Sequence, residues 1–121
     1  MSPERLDLPQ GTLELLILKG LTRGRQHGYA LARWIESRSE GQILVEEGSL
    51  YPAVHRMEKR GWISPEWGKT PSGRRARFYS LTDAGKDELA TRKKRWGRLV
   101  DAVGSVLRSR GLGELGEGGT A

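Results

Sequence analysis

"GSLYPAVHRMEKRGW", residues 48–62, carries a proline inside what otherwise patterns as an amphipathic helix. The stretch could be a broken core helix, a loop presenting a catalytic histidine, or a surface that touches a partner. At about 100° per residue, Leu50, Ala53, Val54 and Met57 gather on one side. Pro52, His55, Arg56 and Lys59 fall opposite, with Tyr51 on the flank. If Ser49 caps the helix, Pro52 lies in the first turn, where its missing N–H has no intrahelical acceptor to lose. The stretch then reads as an intact helix ending near Arg60 and Gly61, glycine being a common terminator.

Upstream, "LPQGTLELLILKGL" (8–21) predicts a helix with Pro9 and Thr12 near its start and Gly20 near its end. Leu13, Leu15, Leu16, Ile17 and Leu18 lie on almost every side of it, so more than one face must be covered. In so small a protein a second copy of the chain can supply that cover, which assigns Leu13, Leu16 and Ile17 to a dimer interface. "TRGRQ" is a polar turn. "HGYALARWIESRSE" (27–40) follows as an amphipathic helix with Leu31, Trp34 and Ile35 on one side, and "GQILVEE" connects it to the opening stretch.

Downstream, "WISPEWG" and "RARFYSL" are β-prone runs separated by the turn-rich "KTPSG". Pro65 marks the first of these strands as an edge or as interrupted. "LTDAGKDEL" restarts a helix, with Thr82 as N-cap and Asp83 favourable in the first turn; it is expected to run to about Arg108. Leu89, Trp96 and Val103 recur every seven residues, flanked by Leu99, Val100, Val106 and Leu107. Such a seam packs against another helix, either a symmetry mate or the chain's own core. The order helix, helix, helix, hairpin, long helix is that of a winged helix-turn-helix, a mainly α fold with a small β-hairpin. The expected division is a DNA-binding domain over 8–81, a dimerisation helix over 82–110 and a flexible tail over 111–121.

The 121 residues suggest one domain with a modest core and a net charge of +6. The last eleven residues hold two acids and no base, so residues 1–110 set 21 bases against 13 acids, a net +8. A body this basic is expected to seek polyanions, nucleic acid foremost. The absence of cysteine excludes disulfides and a cysteine nucleophile and fits a reducing cytoplasm. No apolar run is long enough to span a bilayer, and "MSPERLDLPQ" lacks the pattern of a secretory signal. The two histidines, His27 and His55, sit on different helices without metal-ligand spacing, and Ser49 has no evident base partner. Neither catalysis, metal nor cofactor is expected.

The polar face of the 49–60 helix suits DNA, because the front of a recognition helix meets base edges while Lys, Arg and Tyr hold phosphates. Ser49, Tyr51, Pro52, His55, Arg56 and Lys59 are assigned to it. The hairpin tip "KTPSGRRARFY" (69–79) adds Lys69, Arg74, Arg75 and Arg77 without an acid. It can follow the backbone or enter a minor groove; the plainer reading is a charged tip that guards a sheet edge. "RKKRWGR" (92–98) is either a source of long-range attraction or a solvated face.

The stretches "GTLELLILKGL", "HGYALARWIE", "EEGSLYPAVHRMEKRGWI" and "GRRARFYSLTDAGKDEL" together resemble the PadR-type transcriptional regulators, over roughly residues 8–90. Val54, Met57 and Phe78 depart from the residues usual there, Phe78 lacking a phenol hydroxyl. The resemblance implies a cytoplasmic, ligand-responsive, homodimeric repressor that binds an inverted-repeat operator in double-stranded DNA. It implies dimerisation through the C-terminal helix (Leu89, Trp96, Leu99, Val100, Val103, Val106 and Leu107) with help from the first. The single long helix after the wing matches the compact subfamily, in which a planar aromatic effector can stack at a tryptophan such as Trp96. The alternatives are a winged-helix protein-interaction module, or a small-molecule binder without specific DNA readout.

Overall fold

The computed structural model describes residues 6, 8, 9 and 11–112. In chain order it holds α1 (Thr12–Gly20), β1 (Gln26–His27), α2 (Gly28–Arg38), α3 (Glu47–Lys59), β2 (Ile63–Lys69), β3 (Arg75–Leu81) and α4 (Asp83–Arg108). This is a winged helix: three helices, a small antiparallel sheet, and a long helix after the wing. The described residues divide into two compact units, one up to Thr91 and one from Arg92 on. From residue 113 on, the tail expected over 111–121 lies outside the described residues.

The first unit is built on Ile17, Leu18 and Leu21 of α1 and its end, Leu31 and Ile35 of α2, and Leu50, Ala53, Val54 and Met57 of α3. Ile63 and Tyr79 of the sheet close the same core. These are the apolar positions that recur three and four apart along each helix. Ile17 is 0% exposed within the single chain, so its expected place at a dimer interface is corrected: the core already holds it. Leu13 and Leu16 are half-buried and pack against that core, as does Leu89 of α4.

Helix α1 starts at Thr12 rather than at Leu8, because the chain turns at Gly11 first. The sheet order is β1-β3-β2, so β2 is an edge and Pro65, opposite Tyr79, sits on it without costing a ladder bond from a central strand. The hairpin expected from the sequence has a third strand: Gln26 and His27 pair with Tyr79 and Phe78. A two-residue strand has no periodicity to read. His27 then caps α2, its Nδ1 accepting from the Ala30 amide at 3.3 Å.

The register of α3 also differs from expectation. Its N-cap is Glu46, not Ser49, so Pro52 is the sixth helical residue and lies in the second turn. Its ring nitrogen cannot donate to the Gly48 carbonyl four residues back. Both residues are exposed, so water can satisfy that oxygen and the helix continues through. At the other end the Trp62 amide donates to the Met57 carbonyl and the Gly61 amide to that of Glu58, both at 3.0 Å. That is the Schellman closure expected of a helix followed by glycine.

Helix α4 is anchored by Thr82, whose hydroxyl donates to the Gly61 carbonyl at 2.6 Å and accepts from the Gly85 amide at 3.0 Å. Gly85 has no room for a side chain, since a Cβ there would lie 2.1 Å from the Trp62 carbonyl oxygen. In the second unit, the residues of α4 from Trp96 to Leu107 behave differently. Trp96, Leu99, Val100, Val103, Val106 and Leu107 are all exposed, from 42% to 77%. Among the described residues no helix is long and apolar enough to cross a membrane.

Candidate nucleic-acid interface

The outward arc of α3 is set by its buried one. With Leu50, Ala53, Val54 and Met57 in the core, Gly48, Pro52, His55 and Lys59 face directly away at three- and four-residue spacing, and all four are exposed. Ser49 and Arg56 form one flank of that arc, Tyr51 and Glu58 the other. The assigned helix residues are thus brought onto one continuous surface.

Each flank carries an ion pair to another element. On one side Arg56 donates through Nε to Glu14 of α1 at 3.0 Å. Glu14 is itself 7% exposed, a buried carboxylate among the leucines and isoleucine of residues 13–18. On the other side Glu58 faces Arg77 of β3 at 3.1 Å and His55 at 3.7 Å. The Glu58 Oε1 atom is buried, and the Arg77 contact lacks the direction of a hydrogen bond, so this pair is held by charge more than by geometry. Nearby, burial foremost and the Glu58 charge next hold the Tyr79 phenol above its ordinary pKa of 10.0.

The antiparallel register sorts the wing. Lys69 opposite Arg75, and Trp67 opposite Arg77, share the face that carries Arg77 to α3. Exposed Trp67 lies under the Arg75 guanidinium, 4.4 Å from ring centroid to carbon, which stiffens the basic strand pair. Arg74 follows the wing turn, which Thr70 organises by accepting the Arg74 amide on its hydroxyl at 3.2 Å. On the opposite face Arg25 pairs with Glu66 at 2.6 Å and covers Phe78.

Between α2, α3 and the wing lies a groove of about 780 Å³, lined by His27, Tyr29, Tyr51, Trp67, Arg75 and Arg77 among others. Tyr51 is placed by close packing: a Cβ on Gly28, the first residue of α2, would meet its ring and hydroxyl at 3.4 Å. The head of α3 carries two acids, Glu46 and Glu47, which suit a helix N-terminus and repel phosphate there. Of the assigned residues, Tyr51, Arg74, Arg75 and Arg77 line this groove, Ser49, Pro52 and Arg56 line a separate hollow on the other flank of α3, and Trp96 belongs to the other unit. Glu14, Glu58, Tyr29 and Trp67 are the residues that reading the sequence missed. Glu14 did leave a signal, as the lone charge within the apolar run 13–18, where an acid needs a partner. Among the described residues no group of three His, Asp or Glu side chains is placed to hold a metal ion.

Residues 17–91 match the sequence model described as the Transcriptional regulator PadR-like family. The chain belongs to that family. Solved structures agree on fold and sequence together. A PadR family transcriptional regulator from Eggerthella lenta is 33% identical, with 84% of this chain and 86% of that one covered and a TM-score of 0.71. One from Clostridium difficile is 30% identical over 80% of this chain and 99% of that one, TM-score 0.70. A PadR-like regulator from Bacillus cereus is 29% identical over 84% and 96%, TM-score 0.72. The chain is accordingly a PadR-like DNA-binding transcriptional regulator and not an enzyme.

Proposed function

We propose that this PadR-like regulator is a cytoplasmic homodimeric repressor, released or tightened by a ligand, that reads an inverted-repeat operator through α3 and the wing. The observation that carries this reading is the α3 surface: Pro52, His55 and Lys59 at its centre, Ser49, Tyr51 and Arg56 on its flanks, and the Lys69–Arg77 wing beside it. Its donors suit base edges and phosphates. The exposed apolar seam of α4 supports the dimer, since a contiguous exposed apolar stripe marks a surface for association. A two-fold dimer would set two α3 helices in major grooves about 34–36 Å apart, with the wings on the flanking backbone. Trp96, exposed on that seam, offers a planar aromatic effector a stacking partner.

A mobility-shift assay on the chain's own promoter region tests the reading. Arg56→Ala with Lys59→Ala is expected to abolish the shift while sedimentation still reports a dimer. Full-strength binding by that variant would exclude the α3 face. The same assay run with planar aromatic compounds reads the effector, which must change the shift for wild type and not for Trp96→Ala.

A further inference from the structure

We infer that Glu14 is a positioning residue for DNA recognition: its buried carboxylate holds Arg56 by Nε and keeps the terminal guanidinium nitrogens directed outward. The inference rests on the proposed reading in which Arg56 faces DNA.

Burying a carboxylate in an apolar helix is costly unless it is paired, and an apolar residue at position 14 would avoid the cost. The Glu14 side chain is 9% exposed and that of Arg56 is 54% exposed, so one end of the pair is inside the fold and the other at the surface. A guanidinium has five N–H groups. The 3.0 Å bond to Glu14 takes the one on Nε and leaves the planar fork of Nη1 and Nη2 free to meet a guanine edge or a phosphate. A long side chain that otherwise samples many rotamers is thereby aimed before DNA arrives. Arg77 gives the contrast: its Glu58 contact is made through a terminal nitrogen and lacks hydrogen-bond direction, so it aims nothing.

The carboxylate has a second effect. It offsets part of the Arg56 charge, so Glu14 favours directed recognition over general attraction for phosphate. A carboxylate that served stability alone would move stability and both kinds of DNA binding together. A positioning carboxylate moves the ratio of specific to nonspecific affinity.

The test uses the full chain, a duplex selected by the wild-type protein from a random library, and a random-sequence duplex of equal length. Binding to each is measured by fluorescence anisotropy at one salt concentration. Glu14→Gln is expected to leave binding to the random duplex equal or tighter and to lower the affinity ratio about tenfold, equivalent to about 1.4 kcal/mol. Arg56→Ala should lower the ratio as well, and the double variant should be no worse than Arg56→Ala. A folded Glu14→Gln protein with the wild-type ratio, beside an Arg56→Ala protein that has lost it, overturns the inference and spares the reading beneath it. An Arg56→Ala protein that binds both duplexes like wild type overturns both. If Glu14→Gln does not fold, nitrogen-15 spectra of the wild-type side chain decide: the Arg56 Nε–H signal should be slow to exchange and persist unshifted in the complex, with the Nη signals moving. Loss of the Nε–H signal on DNA binding refutes the role.

Discussion

Helix α1 and the outer part of α4 are both rich in apolar residues, yet only one has settled them within the chain. In α1, Ile17 and Leu18 are fully buried and Leu13 and Leu16 rest against the same core. From Trp96 to Leu107 in α4, six large apolar side chains stay exposed. The difference separates two meanings of one sequence signal. An all-round apolar helix needs cover on several sides, and in α1 helices α2 and α3 supply most of it. A one-sided apolar seam that remains exposed is the stronger sign of a second copy.

The largest effect expected from this contrast is at the seam. Val100→Asp with Val103→Asp places charges where the proposed dimer buries apolar surface. It should yield a folded monomer by light scattering and weaken operator binding at least about 100-fold through lost bivalency. A dimer that survives both charges would end the seam's assignment.

A smaller effect sharpens the other half of the comparison. Ile17→Ala empties a core site and should cost about 2–5 kcal/mol in denaturant unfolding. Leu107→Ala, exposed in the chain, should cost little beyond what the dimer loses, and its effect should vanish as protein concentration falls. Equal, concentration-independent losses at both positions would erase the distinction.

The smallest effect belongs to the core alone. Because the fold favours the neutral Tyr79 phenol, its contribution is constant below the unfolded pKa near 10.0 and is lost as pH rises through and above it. The difference in melting temperature between wild type and Tyr79→Phe should therefore shift in favour of the variant only above about pH 10. A shift already present at neutral pH would point to packing instead.

Much of the fold was legible because it is written in near-range spacing. The two sides of α3, the edge position of Pro65 and the Thr82 cap each follow from residues within a turn or a hairpin. Errors gathered where several local signals compete. Ser49 is a good N-cap by residue type, yet the helix starts at Glu47, and Pro52 is tolerated in the second turn because it and Gly48 are exposed, where water can satisfy the carbonyl. The candidate interface was legible as a set of cations but not as a circuit. Nothing local to Arg56 points to Glu14, 42 residues earlier, or places Arg77 against Glu58.

By itself the sequence determined that α3 has a core side and a cationic side, that a wing follows it, and that a long seamed helix follows the wing. Those features need only the backbone's own periods and turn chemistry. Tertiary structure alone decided that Ile17 belongs to the core, that Gln26 and His27 complete the sheet, and that Glu14 pairs with Arg56 and Glu58 with Arg77. Such pairings depend on distance in space, which a one-dimensional pattern does not carry.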